Sequence, residues 1–209
     1  MAMRKEDLLE NMRGRIDERV IHAMAKVPRE LFIPEPYKSN AYEDTPLPIG
    51  YGQTISAPHM VAIMCHLLDI QANMKILEVG GGSGYHAAVM AELVGPYGHI
   101  YSVERIPELV AQAKENLCQA GVFNVSMVES DGSSGLPENA PFDRISVAAT
   151  APRIPEPLKM QLRIGGKMVI PVGTAFQELV MVTRKNGFSI EEKMGVAFVP
   201  LIGEHGFKG

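Results

Sequence analysis

The chain has two cysteines, no tryptophan and no block of basic residues in 209 positions, and each scarcity narrows what it can be. Cys65 and Cys118 form no CxxC pair and no disulfide framework; both fall in apolar helical patterns, where buried, reduced thiols are expected. His59 and His66 share one predicted helix, but no acidic or thiol ligand stands at metal-site spacing beside them, so no metal is assigned. Lys and Arg number 20 against 24 Asp and Glu, and the few aromatics never interleave with basic residues, which argues against a nucleic-acid partner. Pro, Gly or charge breaks every apolar run before the ~18 residues that a membrane-spanning helix needs, so no membrane partner is expected. The stretch Met1 to Asp7 lacks the apolar core of a secretion signal, which predicts a cytoplasmic protein.

What the chain does have is glycine in one informative place. Glu78-Val79-Gly80-Gly81-Gly82-Ser83-Gly84 follows an apolar strand pattern, Met74 to Val79, and opens an apolar helix pattern. Glycines at alternate positions let the backbone turn tightly and pass a ligand closely, and the following helix offers N–H groups to an anion. Glu104 ends the next predicted strand, His99 to Glu104, about 20 residues on, where a ribose diol needs a carboxylate acceptor. A dinucleotide loop would read G-x-G-x-x-G, but position 85 is Tyr; the G-x-G-x-G spacing favours S-adenosylmethionine over NAD. A glycine-rich turn with no ligand is the bland alternative.

The length suits a single domain, 1–209, with a helical and irregular cap over 1–56 and a cofactor-binding α/β core over 57–209. Apolar spacing predicts an N-terminal helix or helix pair within 4–26. Five prolines then impose a long irregular segment from Val27 to Ile55, within which Pro34 to Gly52 could act as a lid excluding water. A helix from Ala57 to Leu68 follows, with Ser56 at its N-cap and Pro58 in its first turn. Beyond the glycine loop come helix 85–94, strand 99–104, helix 107–120, and strands Val125–Glu129 and Arg144–Ala149. A short helix Pro155–Leu162, strand Lys167–Val172, and strands Glu178–Arg184 and Ser189–Leu201 around Asn186-Gly187 complete the reading. The expected fold is a doubly wound, Rossmann-like α/β sandwich, with a mostly parallel sheet and a C-terminal antiparallel hairpin whose strand order is open.

Ligands of such sheets sit beyond the carboxyl ends of the strands, where strand order reverses. Gly80 to Gly84, Glu104, Asp131-Gly132 and Ala149 to Ala151 can meet there. Asp131 could hold an adenine amino group or be an ordinary turn aspartate before Gly132.

At this point the chain resembles the protein-L-isoaspartate (D-aspartate) O-methyltransferases. The likeness lies in Gly52-Gln53-Thr54-Ile55-Ser56-Ala57-Pro58-His59-Met60 and in the Glu78 to Gly84 loop. It continues in Asp131-Gly132-Ser133, Ala151-Pro152 through Leu158, Gly165-Gly166-Lys167 to Gly173, and Val199-Pro200-Leu201. The resemblance implies a class I methyltransferase fold and methyl transfer from S-adenosylmethionine to the α-carboxylate of L-isoaspartyl residues in damaged proteins and peptides. The ester closes to a succinimide, whose hydrolysis returns some aspartate.

By that resemblance the cofactor residues would be Gln53, Thr54, Ile55, Ser56, Glu78, Gly80, Gly82, Ser83, Gly84, Glu104, Arg105, Asp131 and Gly132. Ser56 would be catalytic and would contact the substrate carboxylate, while Val199, Pro200 and Leu201 would pair with the peptide backbone. The partners would be isoaspartyl peptides and proteins, met by a monomer. Two positions depart from the family pattern: Gly81, where Thr, Cys or Ser is frequent, and Ser130, where Gly is common. The extra glycine would loosen the loop.

The chemistry asks little of the protein, because a carboxylate is already ionised at neutral pH and needs only alignment with the sulfonium methyl. A hydroxyl at a helix N-terminus, whose dipole favours an anion, would suffice. Removing Glu104 is expected to weaken cofactor binding with little effect on folding. A small-molecule methyltransferase, an NAD enzyme and a non-catalytic sensor are the competing readings.

Overall fold

The computed structural model describes residues 3–209. The N-terminal helical pattern resolves into a pair, α1 (Lys5–Met12) and α2 (Glu18–Lys26). Asp17 caps α2 by accepting the N–H of Arg19 at 2.8 Å, and Val20, Ile21, Ala23 and Met24 form its buried face. The proline-rich stretch is more ordered than its composition suggests. It carries two 3₁₀ turns, Arg29–Phe32 and Glu35–Asn40, then an antiparallel hairpin of β1 (Leu47–Gly50) and β2 (Gln53–Ile55). Tyr51 and Gly52 turn the hairpin with φ of 54° and 70°.

The remaining elements alternate: α3 (Pro58–Leu68), β3 (Lys75–Val79), α4 (Tyr85–Val94), β4 (His99–Glu104), α5 (Pro107–Gln119), β5 (Val125–Glu129) and β6 (Phe142–Val147). They are followed by α6 (Glu156–Met160), β7 (Leu162–Gly173), β8 (Gln177–Arg184) and β9 (Phe188–Val196). One seven-stranded sheet has the order β5-β4-β3-β6-β7-β8-β9, parallel from β5 through β7 and antiparallel over β7-β8-β9. Helices cover both faces, and apolar cores lie on each side of the sheet. Strand order reverses between β3 and β6, and that reversal opens the crevice in which the site lies. Buried Arg144 on β6 donates from Nη2 to the carbonyl of Asp69 at 3.1 Å and from Nε to that of Leu68, tying the C-terminus of α3 to the sheet.

Some boundaries differ from the sequence reading. β6 starts and ends two residues earlier than expected, and its last rung to β3 runs from the Ala148 N–H to the Val79 carbonyl at 2.8 Å. β9 stops at Val196. The Gln177 amide holds both backbone groups of Phe198 (2.7 and 3.2 Å), and residues 199–201 leave the sheet edge to pair with Thr150. The loop between β8 and β9 is three residues, with Arg184 opposite Phe188 and a Lys185 N–H to Gly187 carbonyl bond of 2.7 Å. Cys65 is buried, but Cys118 lies on the solvent side of α5 and is exposed.

Candidate cofactor and substrate cleft

At the carboxyl ends of β3, β4 and β6 lies an open cleft, whose empty space is about 920 Å³ counting its mouth. Its walls are Gln53–Ser56, Gly80–Ser83, Glu104–Ile106, Gly132, Ala148–Ala149 and Val199–Ile202. The glycine loop spends its own donors inward: Gly80 and Gly81 donate to the Val103 carbonyl at 2.9 and 3.1 Å, and Gly82 donates to Glu104 Oε2 at 3.0 Å. A pyrophosphate would find those three N–H groups taken, which fits the spacing argument against a dinucleotide. Gly82 has a φ of 53°, and a Cβ there would stand 3.2 Å from Ile49 Cδ1, so hairpin β1–β2 lies directly on the loop.

Glu104 is held from three sides, its Oε1 accepting the N–H groups of Arg105 and Ile106 at 2.8 and 3.0 Å besides the bond from Gly82. A carboxylate offers about four acceptor positions, so one remains, at the cleft wall, for a hydroxyl. Gly132 sits where a Cβ would meet Val79 Cγ1 at 2.6 Å, so only glycine lets the cleft floor pack this closely. These features fit an adenosyl group.

Of the residues singled out from sequence, Gln53, Thr54, Ile55, Ser56, Gly80, Gly82, Ser83, Glu104, Arg105, Gly132, Val199, Pro200 and Leu201 all line the cleft. Three do not. Gly84, with φ 88°, turns the chain into α4 and packs on Ala113 and Leu117. Asp131 points away: its Oδ1 accepts from Ser133 N and Oγ at 2.9 and 2.7 Å, and its Oδ2 from Glu204 N at 2.7 Å. Burial works against this carboxylate, but those donors outweigh it and hold its pKa below the ordinary value.

Glu78 is buried beneath the loop, accepting from Ser102 Oγ, with Oε1 3.7 Å from His86 Nδ1. Burial pushes Glu78 up to about 8 and His86 down to about 4, so both are neutral near pH 7. Ser102 Oγ also occupies the space that a Cβ at Gly81 would need, so the extra glycine leaves no slack in the loop. Tyr85 and His86, which line the cleft from the start of α4, were missed; only their place after the glycine loop could have signalled them.

Ser56 is not a helix cap. Ala57 takes that position without a side-chain bond, and the N–H of His59 is capped by Asp44 Oδ1 at 2.9 Å, from fifteen residues upstream. The expected anion-favouring helix end is therefore partly spent on Asp44. Instead, the Ser56 carbonyl accepts from buried Arg29 Nη2 at 2.8 Å.

A family model described as protein-L-isoaspartate(D-aspartate) O-methyltransferase matches residues 3–206. A protein-L-isoaspartate O-methyltransferase of Methanothrix thermoacetophila is 66% identical over 206 residues, 99% of this chain and 98% of that protein. A solved protein-L-isoaspartate O-methyltransferase superposes with a TM-score of 0.90 at 30% identity, covering 97% of this chain and 67% of that one. A structure from Plasmodium falciparum, described as a beta-aspartate methyltransferase in complex with S-adenosyl-L-homocysteine, gives 0.86 at 30% identity, covering 96% of this chain and 99% of that one.

Proposed function

The chain belongs to the protein-L-isoaspartate(D-aspartate) O-methyltransferase family, and from that premise we propose which of its own residues carry the reaction. It is an S-adenosylmethionine-dependent enzyme that methylates the α-carboxylate of L-isoaspartyl residues in damaged proteins and so begins their repair through a succinimide. When bound, the cofactor supplies an electrophilic methyl on a sulfonium. The protein's contribution is placement and exclusion of water.

Glu104 accepts from the ribose with its remaining lone pair, and Gly132 gives the base a flat floor. Gly80, Gly82 and Ser83, with Gln53 to Ile55 opposite, enclose the methionine end. Ser56 donates its hydroxyl to the substrate carboxylate and fixes the attacking oxygen. The carboxylate is already ionised, so no base is required. Glu78, Gly84 and Asp131 act from behind the wall: Glu78 under the loop, Gly84 at the entry to α4, and Asp131 by holding the chain after Ile202.

Along 199–201, one edge is already used: Thr150 donates to the Val199 carbonyl and accepts from Leu201 N–H, both at 2.8 Å. The substrate backbone therefore meets the alternate edge, at the Pro200 carbonyl and at Ile202. We further propose that the chain works as one domain and one polypeptide, with 1–56 as cap over the 57–209 core, in the cytoplasm. No helix among the described residues is long and apolar enough to cross a membrane.

The observation that carries this reading is that Ser56 and the Glu104-braced loop face the same cleft. Its test is methyl transfer from labelled S-adenosylmethionine to a synthetic isoaspartyl peptide beside the aspartyl peptide. Base-labile label on the isoaspartyl peptide alone is expected; equal label on both, or none, would overturn the reading.

A further inference from the structure

Arg29 is fully buried, yet among the described residues it makes no ion pair. Its Nε donates to the Ala41 carbonyl at 2.8 Å, its Nη2 to the Ser56 carbonyl at 2.8 Å, and Nη1 finds no partner. The guanidinium lies 4.8 Å from the ring centroid of Tyr85, which itself lines the cleft. The neighbouring acids make their hydrogen bonds elsewhere, Glu30 accepting from Tyr42 Oη and Asp44 from both His59 N and His59 Nδ1, so Asp44 offsets the guanidinium only through space. A buried cation held by carbonyls and a ring face, with its nearest acid acting only through space, is costly to desolvate, and an anion brought close to it gains from that charge.

We propose that Arg29 sets the specificity of the Ser56 end of the cleft for an anionic group. Resting on the substrate reading above, that group is the α-carboxylate of the isoaspartyl residue. One peptide unit and one aromatic ring separate the charge from the cleft, so it acts through space rather than by contact. Behind such cover a charge is poorly screened by salt, and its field falls on whatever occupies the place beside Ser56. The anion preference that the N-terminus of α3 gives up to Asp44 is thus restored by a residue of the preceding 3₁₀ turn. A bound carboxylate adds a second counter-charge to that of Asp44, which reaches the guanidinium only through space.

The test compares two peptides that differ only in this charge, the isoaspartyl peptide and its α-carboxamide, each binding the S-adenosylhomocysteine-loaded enzyme in calorimetry. Wild type should favour the carboxylate. Arg29→Met should shrink that preference about tenfold, the scale of one desolvated charge pair, with S-adenosylhomocysteine affinity retained, and Arg29→Lys should restore most of it. If Arg29→Met does not fold, Arg29→Gln, which keeps a donor for the Ser56 carbonyl, takes its place; a ratio of dissociation constants is insensitive to the folded fraction. Equal weakening of both peptides would reduce Arg29 to a structural residue and overturn the proposal. Failure of the wild type to methylate the isoaspartyl peptide would instead sink the substrate reading, so the two failures remain distinct.

Discussion

Gly82 gives its N–H to the carboxylate of Glu104 at 3.0 Å, so the loop that follows β3 is tied to the acid that ends β4. Glu104→Ala removes the carboxylate proposed to accept from the ribose and, with it, the acceptor of three backbone donors. The sequence alone suggests little effect on folding, and the structure revises that. We expect S-adenosylhomocysteine to bind at least about tenfold more weakly and stability to drop by about 1–3 kcal/mol, the cost of unsatisfied donors. Calorimetric titration and denaturant unfolding check the two parts, and unchanged cofactor affinity would rule out the ribose role.

Ser56→Ala should behave differently. The helix is capped without Ser56, so the loss of about 1 kcal/mol usual for a cap is not expected. Turnover on an isoaspartyl peptide should fall about 10²-fold or more with cofactor affinity within a factor of a few, the pattern of a lost orienting contact. Turnover close to wild type would remove Ser56 from the reaction.

How much of this was legible beforehand follows from the range of each signal. The alternation of strands and helices from β3 to β6 came through because periodicity, glycine and proline act locally, as at Gly80 to Gly84 and Pro107. The cap of α3 did not, since Asp44 reaches His59 from a segment that reads as irregular. Asp131 looked available to adenine because nothing near it in sequence reveals that Glu204 and Ser133 claim its oxygens. Arg29 stands beside Pro28 like any surface charge; only the packing of Ala41, Ser56 and Tyr85 around it shows otherwise.

The buried pair of Glu78 and His86 predicts a pH dependence whose sign can be worked out. Glu78 keeps its proton in the fold up to about 8, against an ordinary value of 4.5, so its contribution is full below 4.5 and is lost as pH rises toward 8. His86, pushed down to about 4 from 6.5, does the reverse between those values: there the unfolded chain holds the extra proton, and stability rises with pH. The slopes oppose each other up to 6.5, and above it Glu78 acts alone. Wild type should therefore lose up to about 2 kcal/mol between pH 6.5 and 8, and Glu78→Gln should lose far less. Urea unfolding at the two pH values measures both; parallel losses would show that Glu78 is not the group that titrates.

Asp131 offers the sharpest separation between two roles for one carboxylate. Its Oδ2 accepts the N–H of Glu204, and a Cβ at Gly203 would collide with its Oδ1, so the chain leaving Ile202 is seated directly on it. Ile202 in turn lines the cleft, on the side proposed for the peptide. In Asp131→Asn the amide can satisfy the Ser133 donors or the Glu204 donor, but not both sets. Stability should fall by about 1–3 kcal/mol, and KM for an isoaspartyl peptide should rise several-fold as the 199–202 edge loosens. S-adenosylhomocysteine affinity should change by less than about threefold, under 1 kcal/mol. A tenfold loss of cofactor affinity with stability and peptide KM intact would return Asp131 to the adenine.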